Sequence, residues 1–285
     1  MKKIILIGAT GFIGKHLVDY FNDYVVKSLH GSDVIKRPIA EIAKEIDNYD
    51  IIINVAGRNI FGYWTKRVKK EIFQSRIGLT RKLIAAIEEC RNPPGRFLSA
   101  SAVGIYNDNG IMTEKEGSYA SNFLAKVVKE WEYEAFKAMN KNVKVSVMRF
   151  GIVLGKDGGA YKIMRKLARF NLGAYFNNGR QHLSFIYISD LCRAVTYIIE
   201  RDIEGIINVT APESTDYKTV WQLLKRKVNA FIIWKIPSFL PRLLLGEASV
   251  IYLEGQNVIP EVLIKNNFNF EASNISDCIN KIEAN

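Results

Sequence analysis

The sequence has few of the side chains that build a metal centre or a disulfide framework. Its 285 residues include only three histidines and three cysteines. The cysteines are widely spaced, at Cys90, Cys192 and Cys278. An odd number in no paired pattern gives neither a set of disulfides nor a zinc motif. We therefore expect no metal ion, and thiols that stay reduced in the cytoplasm.

Long apolar runs are also missing. The start, MKKIILIGATGFIG, combines basic and apolar residues as a secretion signal does, but glycines interrupt it and no small-residue cleavage site follows. We predict a first β-strand there instead. Further along, FIIWKIPSFLPRLLLG (231–246) is broken by prolines and basic residues, so it is too interrupted to cross a bilayer. We expect no contact with a membrane.

The net charge of +11 comes from 40 Lys and Arg residues against 29 Asp and Glu residues. These basic residues are spread along the chain. The densest run, TKRVKK (65–70), falls on a predicted helix, where a solvated face explains it. No nucleic-acid-binding motif accompanies the charge. We expect a small-molecule substrate, with an anionic one among the options, and no nucleic acid.

Short apolar runs alternate with longer amphipathic stretches, which is typical of βαβ units and a parallel sheet. The predicted strands cover 3–7, 24–29, 51–54, 96–99, 144–149 and 205–209. The predicted helices include 12–21, 78–90, 120–139 and 189–200. The fold class that follows is α/β, a Rossmann doubly wound parallel sheet.

A glycine motif follows the first predicted strand and precedes a helix. Gly8, Gly11 and Gly14 lie in GATGFIG. Glycines at this spacing permit a tight turn, let the backbone approach a pyrophosphate, and let the helix pack closely on the strand. The helix N-terminus adds free N–H groups and a partial positive charge. In this context the motif predicts a dinucleotide site.

Past about residue 210 the alternation ends and prolines punctuate the chain. We predict that residues 1–210 form the NAD(P)-binding domain. Residues 211–285 then form a small C-terminal α/β lobe for the substrate, joined by the excursion 158–181. Ser214, Thr215 and Asp216 are the candidate caps for the first helix of this lobe.

The end of the second predicted strand favours NADP over NAD. An acidic residue there binds the ribose hydroxyls in NAD enzymes, whereas a basic residue accommodates the extra phosphate of NADP. The strand ends at Leu29-His30 without a carboxylate, and Asp33 follows in the position of a turn or cap residue. We expect NADP, with His30 among the residues around it. NAD stays the alternative.

Several blocks, in order along nearly the whole chain, resemble the short-chain dehydrogenase/reductase superfamily of extended type. They are most similar to its atypical branch called "epimerase family protein", which ends in a domain of unknown function. The blocks are GATGFIG (8–14), NVAGRNI (54–60), YWTKRVKKEIFQSR (63–76), SASAVGIY (99–106), FLAKVVKEWE (123–132), RFGIVLGKDGGA (149–160), GRQHLSFIYISDL (179–191), NVTAPE (208–213) and LLLGEASVIYLEGQNVIP (243–260).

The resemblance implies a path for the cofactor. The pyrophosphate would lie along Gly8, Thr10, Gly11, Phe12, Ile13 and Gly14. The adenosine side would be edged by Asn54, Ala56 and Gly57. The nicotinamide would lie beside Ser99, Gly151 and Val153.

The usual catalytic pair of this superfamily, Tyr-x-x-x-Lys on one helix, is not found where the resemblance implies it. The implied spacing places the Tyr near residue 126. The Tyr-x-x-x-Lys found in FLAKVVKEWEYEAFK (123–137) is Tyr133 with Lys137. On a helical projection, Leu124, Val128 and their apolar neighbours form one stripe, and Tyr133 and Lys137 lie on the other side. We predict that this pair is a bystander.

Other residues are then candidates for catalysis and for substrate binding. Ser101 occupies the expected place of a catalytic Ser, and Tyr106 follows close behind it. In GRQHLS, the candidates for substrate contact are Arg180, Gln181 and Ser184, because that segment faces the substrate cleft in the family. Arg180 would suit an anionic group.

Two functions remain open from the sequence. The first is an NAD(P)-dependent oxidoreductase or epimerase-like enzyme whose acid–base groups lie at other positions. The second is a non-catalytic NADP-binding regulator or redox sensor, which needs the cofactor site alone. The enzyme is the interpretation we adopt.

Overall fold

The strands and helices follow the alternation of the sequence. The computed structural model describes residues 1–284; residue 285, the last of the predicted lobe, lies outside the described residues. The strands are β1 (Lys3–Ile7), β2 (Val25–Leu29), β3 (Ile51–Asn54), β4 (Arg96–Ala102), β5 (Ile111–Met112), β6 (Lys144–Phe150), β7 (Ile152–Leu154), β8 (Ala174–Phe176), β9 (His182–Leu183), β10 (Phe185–Tyr187), β11 (Gly205–Val209), β12 (Thr215–Asp216), β13 (Trp234–Ile236) and β14 (Asn257–Val258).

The α-helices surround the strands. They are α1 (Phe12–Tyr20), α2 (Gly31–Lys36), α3 (Ile39–Ile46), α4 (Lys66–Phe73), α5 (Leu79–Glu89), α6 (Phe123–Phe136), α7 (Gly159–Arg169), α8 (Ile188–Glu200), α9 (Tyr217–Lys227), α10 (Phe239–Leu245), α11 (Val250–Leu253), α12 (Glu261–Lys265) and α13 (Ile275–Ala284). A π-helical turn, Gln74–Gly78, joins α4 to α5.

Six strands form one parallel sheet in the order β11-β6-β4-β3-β1-β2. The strand order reverses at β1, as it does in doubly wound parallel sheets of Rossmann type, so the predicted fold class is confirmed. β1 beyond Lys3, and β3 throughout, are buried, as expected for apolar strands covered on both faces. Ligands of such sheets bind at the carboxyl ends of the strands.

β4 is longer than predicted, because it continues past Ser99 to Ala102. It pairs with β6 up to the contact between Ala102 and Phe150. The predicted strand ended at the last large apolar residues. Small residues continue the backbone hydrogen bonds of a strand when a neighbouring strand extends beside them. Side chains alternate between the two faces of a strand. The extension therefore separates Ser99 and Ser101 from Ala100 and Ala102.

Short strands from early and late parts of the chain pair outside the main sheet. β8, within the excursion 158–181, pairs with β13, β9 pairs with β12, and β14 pairs with β5. The excursion and the C-terminal segment therefore share backbone hydrogen bonds. The division of the chain at residue 210 stays a prediction. Within residues 1–284, no helix is long and apolar enough to cross a membrane.

A buried polar network joins β4, β6, α6 and β11. Arg149 donates to both carboxylate oxygens of Glu132, from Nε at 2.8 Å and from Nη2 at 2.7 Å. The Ser101 hydroxyl donates to the same carboxylate at 2.5 Å. Arg149 Nη1 donates to the Tyr106 hydroxyl at 2.7 Å, which donates to Asn208 Oδ1 at 3.0 Å. All five residues are buried, so each charge depends on the other members for solvation.

We expect Glu132→Ala to lower the free energy of unfolding by about 3–5 kcal/mol, because it leaves the Arg149 charge buried without a partner. The matched control is Glu130→Ala on the same helix. Glu130 pairs with Arg81 at the surface, and the loss there should stay below about 1 kcal/mol. Urea unfolding of both variants measures the difference, and equal losses would contradict the role of the network.

Candidate functional site

The turn between β1 and α1 requires glycine at two positions. Gly8 has a φ of 95°, in the left-handed region, and a Cβ atom there would lie 2.8 Å from Ala56 Cα. A Cβ atom on Gly14 would lie 2.1 Å from the Gly8 carbonyl oxygen. Both contacts are too short for any side chain. These two glycines therefore serve the close approach of turn, helix and neighbouring strand.

Gly11 has a different environment. It is exposed together with Thr10, and a Cβ atom on it would meet only the Gly8 carbonyl oxygen, at 3.3 Å. It precedes α1, a helix of nine residues with no acidic residue in its first turn and no side-chain cap. The free N–H groups thus face an open surface. This geometry fits a pyrophosphate and excludes a larger side chain from its place.

Phe12 and Ile13 contribute to this turn through their backbone. The Phe12 ring packs over the glycine-rich segment after β7, where a Cβ atom on Gly158 would lie 2.3 Å from it. Ile13 packs against the core. Neither side chain therefore lies on the open surface that Thr10 and Gly11 form.

The adenosine side is formed at the ends of β2 and β3. His30 is exposed directly after β2 and precedes α2, and Asp33 lies in the first turn of that helix, as a turn or cap residue would. Asn54 is buried, and its side-chain oxygen accepts a hydrogen bond from the Ala56 N–H at 3.2 Å, which fixes the turn before Gly57.

A cavity of about 220 Å³, here called the strand-end cavity, lies where β4 and β6 end. Ala102 and Gly151 are among its wall residues, and α6 and the segment 250–256 complete it. Gly151 is packed tightly, since a Cβ atom on it would lie 2.8 Å from the Ser184 carbonyl oxygen. Val153, predicted beside Gly151, is not in the wall; its neighbour Ile152 is, because alternate residues of β7 face opposite sides.

The helix positions expected for the catalytic pair hold apolar side chains. Leu124, Val127 and Val128 line the strand-end cavity. Tyr133 is 65% exposed. The Lys137 ammonium pairs with a carboxylate of its own helix at 2.9 Å and lies 4.8 Å from the centre of the Tyr133 ring. The pair therefore faces solvent, away from the cavity.

Ser101 and Tyr106, the two candidates for catalysis, belong to the buried network and not to the cavity wall. The Ser101 hydroxyl is bound to Glu132, and the Tyr106 side chain is 1% exposed with its hydroxyl fully bonded. The extension of β4 places Ala102 in the wall instead. Ser99 is likewise buried inside β4 rather than at its end. The structure thus places both candidates outside the cavity wall, and their part in catalysis stays a prediction.

The GRQHLS segment contacts the cavity at one of its three predicted residues. Ser184 lines the strand-end cavity, but its hydroxyl is bonded to the Gln256 carbonyl at 2.7 Å and to the Val258 N–H at 2.9 Å. Gln181 is outside the wall, and its buried side-chain oxygen has no hydrogen-bond partner within residues 1–284. Arg180 is exposed and outside the wall, and its contact with an anionic substrate stays a prediction.

Arg76 is a wall residue that sequence reasoning missed. Its guanidinium lies 3.3 Å from the position of a Cβ atom on Gly57 and 5.5 Å from the Trp131 ring centre. It donates to the Arg58 carbonyl at 3.0 Å, and within residues 1–284 it has no carboxylate partner. Burial lowers the pKa of Arg76 to about 10, so it stays charged at neutral pH. It presents an uncompensated cation beside the cofactor path.

A second, larger cavity of about 410 Å³, here called the apolar cavity, adjoins the first. The two share Ile152, Leu183, Tyr217 and Ile251 as wall residues. Every residue in the wall of the apolar cavity is aliphatic or aromatic. The two cavities are therefore adjacent, the more polar one near the sheet and the apolar one beneath α7.

Tyr217 is the second residue that the sequence did not single out. It begins α9 directly after Asp216, whose carboxylate caps the helix by accepting from the Thr219 N–H at 2.7 Å. The Tyr217 hydroxyl has no hydrogen-bond partner within residues 1–284. Burial, together with the nearby Tyr252, raises the pKa of Tyr217 to about 12, so the phenol keeps its proton at neutral pH.

Glu254 is a further titratable wall residue of the strand-end cavity. It accepts a hydrogen bond from the Asn122 side chain at 3.2 Å, and burial raises its pKa. In the described part of the chain, no three His, Cys, Asp or Glu side chains come together in the arrangement of a metal site.

The comparisons with known proteins cover nearly the whole chain. The profile of the NAD dependent epimerase/dehydratase family matches residues 4–210, and that of a domain of unknown function, DUF1731, matches residues 236–282. The epimerase family protein YfhF of Bacillus subtilis is 30% identical, over 99% of this chain and 98% of that protein.

Solved structures share the fold. The human epimerase family protein SDR39U1, solved with NADPH, superposes with a TM-score of 0.88 at 24% identity, covering 99% of both chains. A UDP-glucuronic acid 4-epimerase from Bacillus cereus, solved with UDP-glucuronic acid and NAD, gives a TM-score of 0.79 at 17% identity, covering 98% of this chain and 96% of that chain.

We expect Gly11→Val to abolish dinucleotide binding while leaving the free energy of unfolding within about 1 kcal/mol, because its surroundings are open. Gly14→Ala should instead cost about 1–3 kcal/mol or more, since its Cβ atom has no room. Fluorescence titration with NADPH and urea unfolding of the unliganded protein measure the two effects. A Gly11→Val protein that binds NADPH normally would refute the assignment of this turn.

Proposed function

The chain belongs to the NAD dependent epimerase/dehydratase family, and on that premise we propose that it is an NADP-dependent oxidoreductase for a small carbonyl compound, with its proton donor outside α6. The observation that carries the proposal is the unpartnered phenol of Tyr217. It faces the cavity in which Leu124 and Val128 occupy the helix positions of the usual Tyr and Lys.

The residues of the first three strand ends bind the cofactor. The open surface at Gly11 and the N-terminus of α1 receives the pyrophosphate, and the turn held by Asn54 borders the adenosine. Bound there, NADPH supplies a hydride at the strand-end cavity. NADP is favoured over NAD because β2 ends at His30 without a carboxylate, and the similar human protein was solved with NADPH.

Reduction of a carbonyl adds a hydride to carbon and a proton to oxygen. Tyr217 holds that proton, because its raised pKa keeps the phenol neutral well above physiological pH. At neutral pH the group is therefore present in the protonated form that carbonyl reduction requires, and the phenolate that alcohol oxidation requires is scarce. Glu254, an exposed residue of the same wall, borders the solvent from which the phenolate regains its proton.

Arg76 adds positive charge to the same cavity. A cation fixed in a partly dry site stabilises negative charge that develops on an oxygen during reaction, and it does so without reorganisation. Its lack of a carboxylate partner leaves the charge available to a ligand.

A second function fits one observation. The face of α6 toward the cavity carries apolar side chains where the family has its acid–base pair. A regulator or redox sensor that only binds NADP does not need that pair. Such a protein would bind NADPH and never consume it.

We expect NADPH to bind more tightly than NADH. His30→Asp, which places a carboxylate at the end of β2, should repel the extra phosphate and bind the ribose hydroxyls, and so reverse the preference. A shift of the affinity ratio of at least about tenfold is expected from one charged hydrogen bond. Isothermal titration with both nucleotides measures it; a wild-type protein that prefers NADH would refute the choice of NADP.

We expect Tyr217→Phe to slow NADPH oxidation with phenanthrenequinone, an uncharged carbonyl probe, by about 10²-fold or more, the contribution of a positioned general acid. The matched control, Tyr133→Phe with Lys137→Met, should stay within about threefold, because these side chains face solvent. The absorbance of NADPH reports the rate. Equal effects would exclude Tyr217 as the donor, and NADPH binding with no turnover of any carbonyl by wild type would favour the regulator.

A further inference from the structure

The apolar cavity is too large and too uniform to be a packing defect. Voids in protein interiors are few and close to the size of a water molecule. This one has a volume of about 410 Å³, in the range of small-molecule sites. Its walls come from α7, from β8, from the first turns of α9 and from α11, with residues such as Met164, Phe176, Trp221 and Tyr252.

The cavity wall provides no charge for an ionic ligand. It contains no Lys, Arg, His, Asp or Glu residue. A sugar nucleotide carries a pyrophosphate, and burying those charges without cations or N–H donors would cost far more than the apolar contacts return. Arg180, the one arginine of the neighbouring loop, is exposed and lies outside the wall. The wall therefore selects against the class of ligand with which the Bacillus cereus epimerase was solved.

The cavity has exposed wall residues at one end and shares wall residues with the strand-end cavity at the other. Two of its wall residues, Ile163 and Leu172, are 53% and 63% exposed, which marks the mouth. At the other end, Tyr217 belongs to the walls of both cavities. A ligand that enters between α7 and β8 can thus reach Tyr217, the residue that also borders the strand-end cavity.

We propose that the substrate is an uncharged carbonyl compound with an extended hydrocarbon part, and that the apolar cavity holds that part. The proposal rests on the proposed function and specifies its substrate class. The carbonyl lies beside Tyr217: its carbon gains the hydride of NADPH, its oxygen gains the proton of the phenol as the C=O π bond breaks, and the phenolate is reprotonated from solvent. NADPH is oxidised to NADP⁺ and the carbonyl is reduced to an alcohol.

The test uses methyl ethyl, methyl pentyl and methyl nonyl ketone as probes, titrated calorimetrically into the protein saturated with NADP⁺, so that no turnover occurs. Each methylene group that enters the cavity should lower Kd about fourfold, from the hydrophobic transfer free energy per methylene. UDP-glucose, titrated in parallel, should bind more weakly than methyl nonyl ketone.

The location is tested by a matched pair of surface substitutions. Ile163→Glu places a charge in the mouth of the cavity and should raise the Kd of methyl nonyl ketone at least tenfold, about the cost of burying one poorly solvated polar group. Phe170→Glu makes the same change at a residue that is 63% exposed but outside the wall, and should leave the Kd within about twofold. Neither should alter NADPH affinity.

The possible outcomes distinguish failure of the proposed function from failure of the proposed substrate class. Failure of the protein to bind NADPH or NADP⁺ would overturn the proposed function itself. Normal nucleotide binding with no dependence on chain length, with no difference between the two variants, or with tighter binding of UDP-glucose would overturn the substrate class alone.

Discussion

The ion pair between Arg149 and Glu132 is the interaction on which the site depends. It joins the centre of α6 to the end of β6, next to the point where both elements border the strand-end cavity. Two charges buried together are strongly held only when their remaining hydrogen bonds are satisfied, and here Ser101 and Tyr106 satisfy them. The polar groups that look catalytic in the sequence thus position the helix that lines the cavity.

The network also extends to the C-terminal segment. The side chain of Asn208, on β11, accepts a hydrogen bond from the Tyr106 hydroxyl and donates one to the Ile259 carbonyl at 3.1 Å. Glu114 accepts the N–H groups of Asn208 and of Glu261, at 2.9 and 3.0 Å, and burial raises its pKa. Segments far apart in sequence are therefore fixed to the same sheet edge. This connection holds the walls of the two cavities in one arrangement without a disulfide or a metal.

Local patterns predicted the parts of this protein that local forces determine. The runs of isoleucine in β1 and β3 and the glycines around α1 depend on neighbours within a few residues, and the structure shows them where the sequence places them. The cap of α9 is Asp216, one of the three candidates that the sequence offered. The outward position of Tyr133 follows in the same way from helical periodicity.

The prediction failed where tertiary pairing decides. The end of β4 depends on β6, whose residues lie 48 positions further along the chain in every paired contact. The sequence therefore gives no local sign that Ser101 points inward. Arg76 was hidden in a basic block whose other members are solvated, and only the structure shows its guanidinium against Gly57. The proposed role of Tyr217 depends on its place in the walls of two adjacent cavities. The spacing of residues in the sequence does not show which side chains will line a cavity.

The π-helical turn that carries Arg76 has a consequence for the length of the chain. A π turn holds more backbone per turn than an α-helix does, and such turns occur often at functional sites. Removal of one residue between 74 and 78 would let α4 and α5 merge into a continuous α-helix, because the π turn accommodates one extra residue between them. Leu83 and Ile87 would keep their places in the core, and the residues of the turn itself would change direction. A relative that is one residue shorter at this point would thus lack the arginine in the cavity even though no arginine had been substituted. In a sequence alignment, the loss of this cation would then appear as a one-residue deletion.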